Sequence, residues 1–71
     1  MAMKLFKYDD KHKTIIQEVE ISSVNEADIE YILRIINNLS TTDERYAIGA
    51  KAERVFDQEI GEYTDIIFHQ D

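Results

Sequence analysis

The first 21 residues carry the pattern of a β-hairpin. Residues 4–8 (KLFKY) are rich in aromatic and apolar side chains, and the polar cluster that follows at 9–12 (DDKH) supplies aspartates suited to Asx turns. Residues 13–21 then alternate apolar and polar side chains with a period of two, and Gln17 is the exception. The pattern predicts two strands joined by a tight turn.

A helix is predicted next, beginning near Ser23 and ending near Leu39. Ser23 and Glu26 have the spacing of a capping box, in which each side chain hydrogen-bonds the backbone amide of the other residue. Apolar residues recur at intervals of three and four on one side, which is predicted to face a sheet: Ile29, Ile32, Leu33, Ile36 and Leu39. Polar residues occupy the opposite side: Glu26, Glu30, Arg34 and Asn37.

The stretch from residue 41 to about residue 60 predicts a second helix. Thr41 lies three residues before Glu44, which repeats the capping-box spacing, and Gly61 is suited to end a helix. Three residues are strong helix formers: Ala47, Ala50 and Ala52. Four residues would form the inner stripe of this helix: Ile48, Ala52, Val55 and Phe56. Residues 63–68 are β-prone and predict a final strand.

These elements predict a small single α+β domain, 1–71, with the order β-β-α-α-β. The N-terminal hairpin and the C-terminal strand would form a three-stranded sheet, and both helices would pack on one face of that sheet. A chain of 71 residues has a marginal core, so burial against a partner or a second copy is a common supplement. Met3 is a second candidate start, in which case Met1 and Ala2 are additions.

The net charge of −7 narrows the classes of partner. The acidic residues concentrate after residue 13, and a negative surface repels phosphate backbones and anionic membranes. We therefore expect neither direct nucleic-acid binding nor membrane association. No stretch approaches the roughly 20 apolar residues that cross a bilayer, and residues 1–13 alternate apolar with charged side chains instead of forming an apolar signal core, so the expected location is the cytoplasm.

The residue types that many enzymes need are missing. There is no thiol, and Gly49 and Gly61 are too far apart to build a glycine-rich phosphate loop. The serines stand at predicted helix boundaries, where capping is their ordinary role: Ser22, Ser23 and Ser40. The sequence therefore predicts a protein that is not an enzyme and that has no cofactor.

Two histidines offer one possible metal site. His12 belongs to the hairpin turn and His69 follows the last predicted strand, which would run parallel to the first strand and end beside that turn. Carboxylates are available at the same predicted edge: Asp9, Asp10 and Asp71. Imidazole and carboxylate groups are ligands for zinc and other transition metals. Turn and terminal residues are usually solvated, which disfavours a metal site. A small metal- or ligand-binding protein that uses His12 and His69 is therefore the second alternative function.

Acidic pairs on the predicted helices suggest a different alternative. Glu26 and Glu30 are four residues apart, as are Glu53 and Asp57, and residues at that spacing stand about 6 Å apart on a helix face. That distance is close to the spacing of phosphates along a strand. The pattern is compatible with an inhibitor that mimics nucleic acid and binds the basic groove of a DNA- or RNA-binding protein.

The leading hypothesis rests on the aromatic and apolar residues of the first helix. Tyr31 and Ile35 widen its apolar stripe beyond half of the circumference, which is more than one sheet can cover. The second helix would cover the remainder, or the patch would bind another chain. We therefore predict a non-catalytic interaction module that binds a protein partner or itself through an acidic and aromatic surface. Six residues would take part in this surface: Tyr31, Ile35, Glu26, Glu30, Glu53 and Asp57.

Overall fold

The computed structural model describes residues 3–21 and 25–70, which form five strands and one helix. The elements follow in the order β1 (Met3–Asp9), β2 (Thr14–Ile21), α1 (Glu26–Leu39), β3 (Glu44–Gly49), β4 (Lys51–Asp57) and β5 (Glu62–Phe68). Strands β2, β1 and β3 form one antiparallel sheet in that spatial order, and β4 pairs with β5 in a second sheet. The predicted β-β-α-α-β order, with one sheet and two helices, is therefore wrong.

The N-terminal hairpin is the element that the sequence pattern located well. In the turn, the Asp9 carboxylate accepts hydrogen bonds from the backbone N–H groups of Lys11 (2.8 Å) and His12 (3.1 Å), which is the Asx turn that the aspartates favour. The register of β1 against β2 shifts between Lys7 and Tyr8, so Ile16 is the extra residue of a bulge. Lys13 takes a positive φ of 55° where the chain enters β2.

The segment predicted as a second helix is two strands. Tyr46 and Ile48 of β3 lie on the face that packs against α1, and the intervening Ala47 lies on the other face, as strand alternation requires. Thr41 does not cap a helix; the turn at 40–44 is instead closed by Ser40 and Thr42, whose hydroxyls bond backbone groups of Thr42 and Glu44. The alanines favoured a helix by propensity, but tertiary packing overrides that weak preference.

Gly49 and Ala50 form the junction between β3 and β4, where the structure requires small residues. A Cβ on Gly49 would lie 2.9 Å from the backbone oxygen of Phe68 and closer still to the side chain of Ile67. Ala50 is buried, and its N–H donates to the Phe68 oxygen at 2.7 Å. The chain therefore passes from the first sheet to the second in direct contact with β5, which leaves no room for larger side chains.

The final strand exists where the sequence predicted it, but its neighbours are different. It is antiparallel to β4 and lies outside the sheet of β1, so the predicted parallel pairing with β1 is wrong. Asp65 attaches it to the start of β2: its N–H donates to the Lys13 oxygen (2.7 Å), and its carboxylate accepts from the Ile15 N–H (2.7 Å). The same carboxylate pairs with Arg54 at 3.2 Å.

The core is small. Among the described residues, five apolar side chains are buried: Met3, Phe6, Leu33, Ile48 and Ala50. Phe6 is fully buried and approaches Gly49 from the first sheet, whereas Met3, Leu33 and Ile48 pack together under α1. The molecule measures 38 × 31 × 17 Å, so it is thin along one axis. A folded monomer of this mass exposes about 4,600 Å², and this chain exposes 5362 Å².

Candidate interaction surface

Helix α1 begins at a well-formed N-cap. The Asn25 side-chain oxygen accepts from the N–H groups of Ala27 (3.0 Å) and Asp28 (3.3 Å), and Glu26 and Asp28 place negative charge in the first turn, where the helix dipole favours it. The N-cap is therefore Asn25, and Ser23, the predicted capping residue, lies outside the described residues. These local interactions stabilise the first turn of the helix.

The helix turns most of its apolar stripe away from the sheet. Leu33 is buried and Ile29 is half-buried, but five other large apolar side chains are between 41% and 74% exposed: Tyr31, Ile32, Ile35, Ile36 and Leu39. The prediction that Ile32, Ile36 and Leu39 face the core is wrong. We refer to these five residues as the helix stripe.

Asn37 is the side chain that accounts for this rotation. Its amide nitrogen donates to the Tyr46 oxygen (2.9 Å) and its oxygen accepts from the Tyr46 N–H (2.8 Å). The Asn37 amide thus hydrogen-bonds the N–H and the C=O of Tyr46 in the edge strand β3, as the backbone of a neighbouring strand would. Because Asn37 points at β3, residues on the far side of the helix point to solvent, and the predicted polar position of Asn37 on the outer face is wrong.

A second exposed apolar group lies at the end of the β4–β5 hairpin. Phe56 and Tyr63 are opposite each other in the register, and their rings make an edge-to-face contact at 5.2 Å while both remain more than half exposed. Ile60, in the turn, is also exposed. Three acidic residues surround this hairpin tip: Asp57, Glu59 and Glu62. The tip is therefore both aromatic and acidic.

Several basic side chains are paired with carboxylates, and the chain as a whole carries a net charge of −7. Lys7 pairs with Glu44 at 3.0 Å, and that hydrogen bond raises the pKa of Lys7. Lys13 pairs with Asp10 at 2.9 Å, with the same effect on its pKa. Lys51 lies over the ring of Phe68 at 5.6 Å from the centroid. The helix stripe carries no charged residue of its own.

The two histidines lie in different parts of the molecule. His12 is in the β1–β2 turn, where its Nδ1 lies 2.9 Å from the Asp9 carboxylate, and this hydrogen bond lowers the pKa of Asp9. His69 follows β5, whose end meets Ala50 near the opposite end of β1. Asp71 lies outside the described residues. Across 3–21 and 25–70, no group of three or more histidine, aspartate or glutamate side chains is arranged to hold a metal ion.

His69 lines an open groove between α1 and β3. The groove has a volume of about 290 Å³, and its walls include Leu33, Arg34 and Tyr46. One polar side chain of the groove, Asn37, is already hydrogen-bonded to the Tyr46 backbone and is therefore not available to a ligand. The groove is at the lower limit of the size usual for small-molecule sites, and the described residues offer no convergent set of buried polar groups there.

The acidic pairs proposed for nucleic-acid mimicry do not share one geometry. Glu26 and Glu30 are exposed on α1 at the predicted helical spacing. Glu53 and Asp57 belong to strand β4, where four residues span about 13 Å rather than one helical turn. Glu53 lies 3.7 Å from Lys51, and Asp57 accepts from the Glu59 N–H at 2.9 Å in the turn. The repeated spacing is therefore limited to the helix.

Within the part of the chain that the structure describes, the single helix is too short and too polar to cross a membrane. Comparison of the sequence and structure with family models, with curated proteins and with solved structures found no match to this chain.

Proposed function

We propose that this protein is a non-catalytic interaction module that binds another protein chain through the helix stripe. The observation that carries the proposal is the orientation of α1, which buries Leu33 and leaves five large apolar side chains exposed. Scattered apolar residues are normal on a protein surface, but a contiguous apolar group on one helix is a frequent feature of protein interfaces. Tyrosine at its border is also enriched in such contacts.

The geometry supports recognition by helix packing. Ile32, Ile35 and Leu39 recur at intervals of three and four, which is the spacing by which a helix presents one ridge to a partner helix or groove. The aromatic and acidic hairpin tip is a second surface, and its charge favours a partner that carries basic side chains. Both surfaces act by contact, and neither requires a reactive group.

Photo-crosslinking tests this proposal, because it captures whichever chain lies against the helix stripe. Tyr31 would be replaced by the photoreactive analogue p-benzoylphenylalanine in the producing cell, and the same replacement at Lys11, in the exposed β1–β2 turn, serves as the control. We expect a discrete adduct at position 31 that is absent or much weaker at position 11. Equal, diffuse labelling at the two positions would contradict the proposal.

A further inference from the structure

We infer that the helix stripe binds a second copy of this chain, with the two α1 helices antiparallel about a two-fold axis that passes near Ile35. The inference rests on the proposed function and names the partner of that same surface. The 5362 Å² of the whole chain exceeds the monomer expectation by roughly 800 Å², an excess to which the helix stripe contributes and which is comparable with the area that one partner of a standard interface buries.

Symmetry explains why a second copy suits the stripe. A two-fold interface places the same patch on both sides, so the patch must be complementary to itself. The helix stripe is uncharged and consists of one tyrosine, three isoleucines and one leucine, so it meets its own copy without opposing like charges. With a net charge of −7, contact through the acidic parts of the surface is disfavoured between two copies.

The distribution of charge along α1 selects the antiparallel arrangement. Its acidic residues all lie in the first half: Glu26, Asp28 and Glu30. Of these, Asp28 lies on the same side of the helix as the stripe, three residues before Tyr31, so a parallel pair would bring its carboxylate against its own copy. An antiparallel pair centred on Ile35 places Asp28 just beyond the end of the other helix, opposite Thr42, and it also opposes the two helix dipoles.

The spacing of the stripe fits such a pair. Ile32, Ile35 and Leu39 stand at the alternating intervals of three and four that form the seam between two packed helices. Centring the pair on Ile35 brings Tyr31 of one copy against Leu39 of the other, so each end of the stripe covers the opposite end of its copy. All five residues of the stripe then lie at or beside the seam.

Sedimentation equilibrium on the full chain measures the association. We expect the wild-type protein to approach twice the chain mass of 8.3 kDa. Ile35→Glu should raise the dissociation constant by at least about 100-fold, because the carboxylate is buried twice across the axis. Ile16→Glu makes the same change at an exposed position of β2, outside both surfaces, and should leave the dimer intact. Circular dichroism confirms folding, and Leu39→Gln is a milder second variant of the stripe.

Cysteine pairs test the orientation, since the natural chain has no cysteine. An antiparallel pair predicts that an equal mixture of Tyr31→Cys and Leu39→Cys chains oxidises to a mixed disulfide. Leu39→Cys alone should form little disulfide, because its copies lie at opposite ends of the seam. Efficient disulfide formation by Leu39→Cys alone would overturn the antiparallel arrangement.

Failure of the dimer and failure of the proposed function give different results. A wild-type chain that stays monomeric at about 1 mM, the weak limit of specific affinity, overturns the second copy as partner. If the adduct at position 31 then contains a different protein, the interaction module stands and only the dimer is lost. Equal loss of association in Ile35→Glu and Ile16→Glu would also overturn the assignment of the interface to the helix stripe.

Discussion

A single side chain, Asn37, determines how the helix meets the sheet. Its amide makes two hydrogen bonds to the backbone of Tyr46, at 2.8 and 2.9 Å, in a position where an apolar side chain would leave the edge strand unsatisfied. The adjacent Asn38 is exposed. Two neighbouring asparagines on one helix therefore have different structural roles.

Replacing these asparagines separates those roles. Asn37→Ala should lower the free energy of unfolding by about 1–2 kcal/mol, since two partly buried backbone groups lose their partners. Asn38→Ala should leave stability unchanged or raise it by about 0.5 kcal/mol, because alanine is the better helix former. Urea denaturation of both variants provides the measurement. Equal values for the two would show that the Asn37 contacts add nothing to stability.

The Asp9–His12 hydrogen bond makes part of the free energy of unfolding depend on pH in the acidic range. The pKa of Asp9 lies below its usual value of 3.8 in the folded chain, because the carboxylate accepts hydrogen bonds from the His12 side chain and from two backbone N–H groups. A carboxyl with a lowered pKa contributes stability that is fully present above its unfolded pKa. That contribution is lost as the pH falls through the folded pKa.

Asp9→Asn tests this contribution, because the asparagine oxygen still accepts from the turn N–H groups while the charge is removed. Thermal melts between about pH 7 and pH 2 should show a smaller acid-induced fall in melting temperature for this variant than for the wild type. Asp43→Asn, an equal change of charge at an exposed position, should keep the wild-type slope. Parallel pH profiles for the wild type and Asp9→Asn would refute the role of this hydrogen bond.

At the scale of elements, the sequence was informative where one periodicity dominated. The period-two alternation of residues 13–21 located β2, and the three- and four-residue spacing located α1. From residue 44 to residue 57 the signals conflicted. Alanines and a cap-like Thr41 favoured helix, although Tyr46 and Ile48 alternate as in a strand. Small residues are needed there for close backbone packing, which is a tertiary requirement that local propensity does not report.

The junction between β3 and β4 should therefore be sensitive to volume. Gly49→Ala places a Cβ against the Phe68 oxygen and the Ile67 side chain, and we expect a loss of about 1–3 kcal/mol from overpacking. Gly61→Asn is the control, since the turn has open space and asparagine tolerates a positive φ such as the 71° found there. Chemical denaturation of the two variants would contradict this account if Gly61→Asn were the more damaging.

The candidate surface was only partly predictable. The width of the apolar stripe predicts that Tyr31 and Ile35 extend beyond the part of the helix that one sheet covers, and both are exposed. Ile32, Ile36 and Leu39 were placed in the core, because a helical wheel shows which residues share a side but does not show which side meets the sheet. Asn37 is a polar residue on the side of the helix that faces the sheet, so it indicates how the helix is oriented. This indication can be interpreted only when the edge strand β3 is known, and the sequence pattern did not predict that strand.

At the scale of the whole molecule, the net charge opposes the association of two copies, and the exposed apolar surface favours it. Each chain carries −7, so two copies repel, while the uncharged helix stripe favours association. Added salt weakens the repulsion and leaves apolar burial largely intact, since the Debye length falls from roughly 30 Å at 0.01 M to about 8 Å at 0.15 M ionic strength. We therefore expect the dissociation constant of the dimer to decrease with salt over this range.

Sedimentation equilibrium of the wild-type chain at several sodium chloride concentrations measures that dependence. A complex held by carboxylates against a basic partner shows the opposite sign and weakens steeply as ionic strength rises. The sign of the slope therefore separates an apolar interface between like-charged copies from one formed by the acidic surface. Dissociation of the dimer by added salt would show that complementary charges, and not the helix stripe, hold the two chains together.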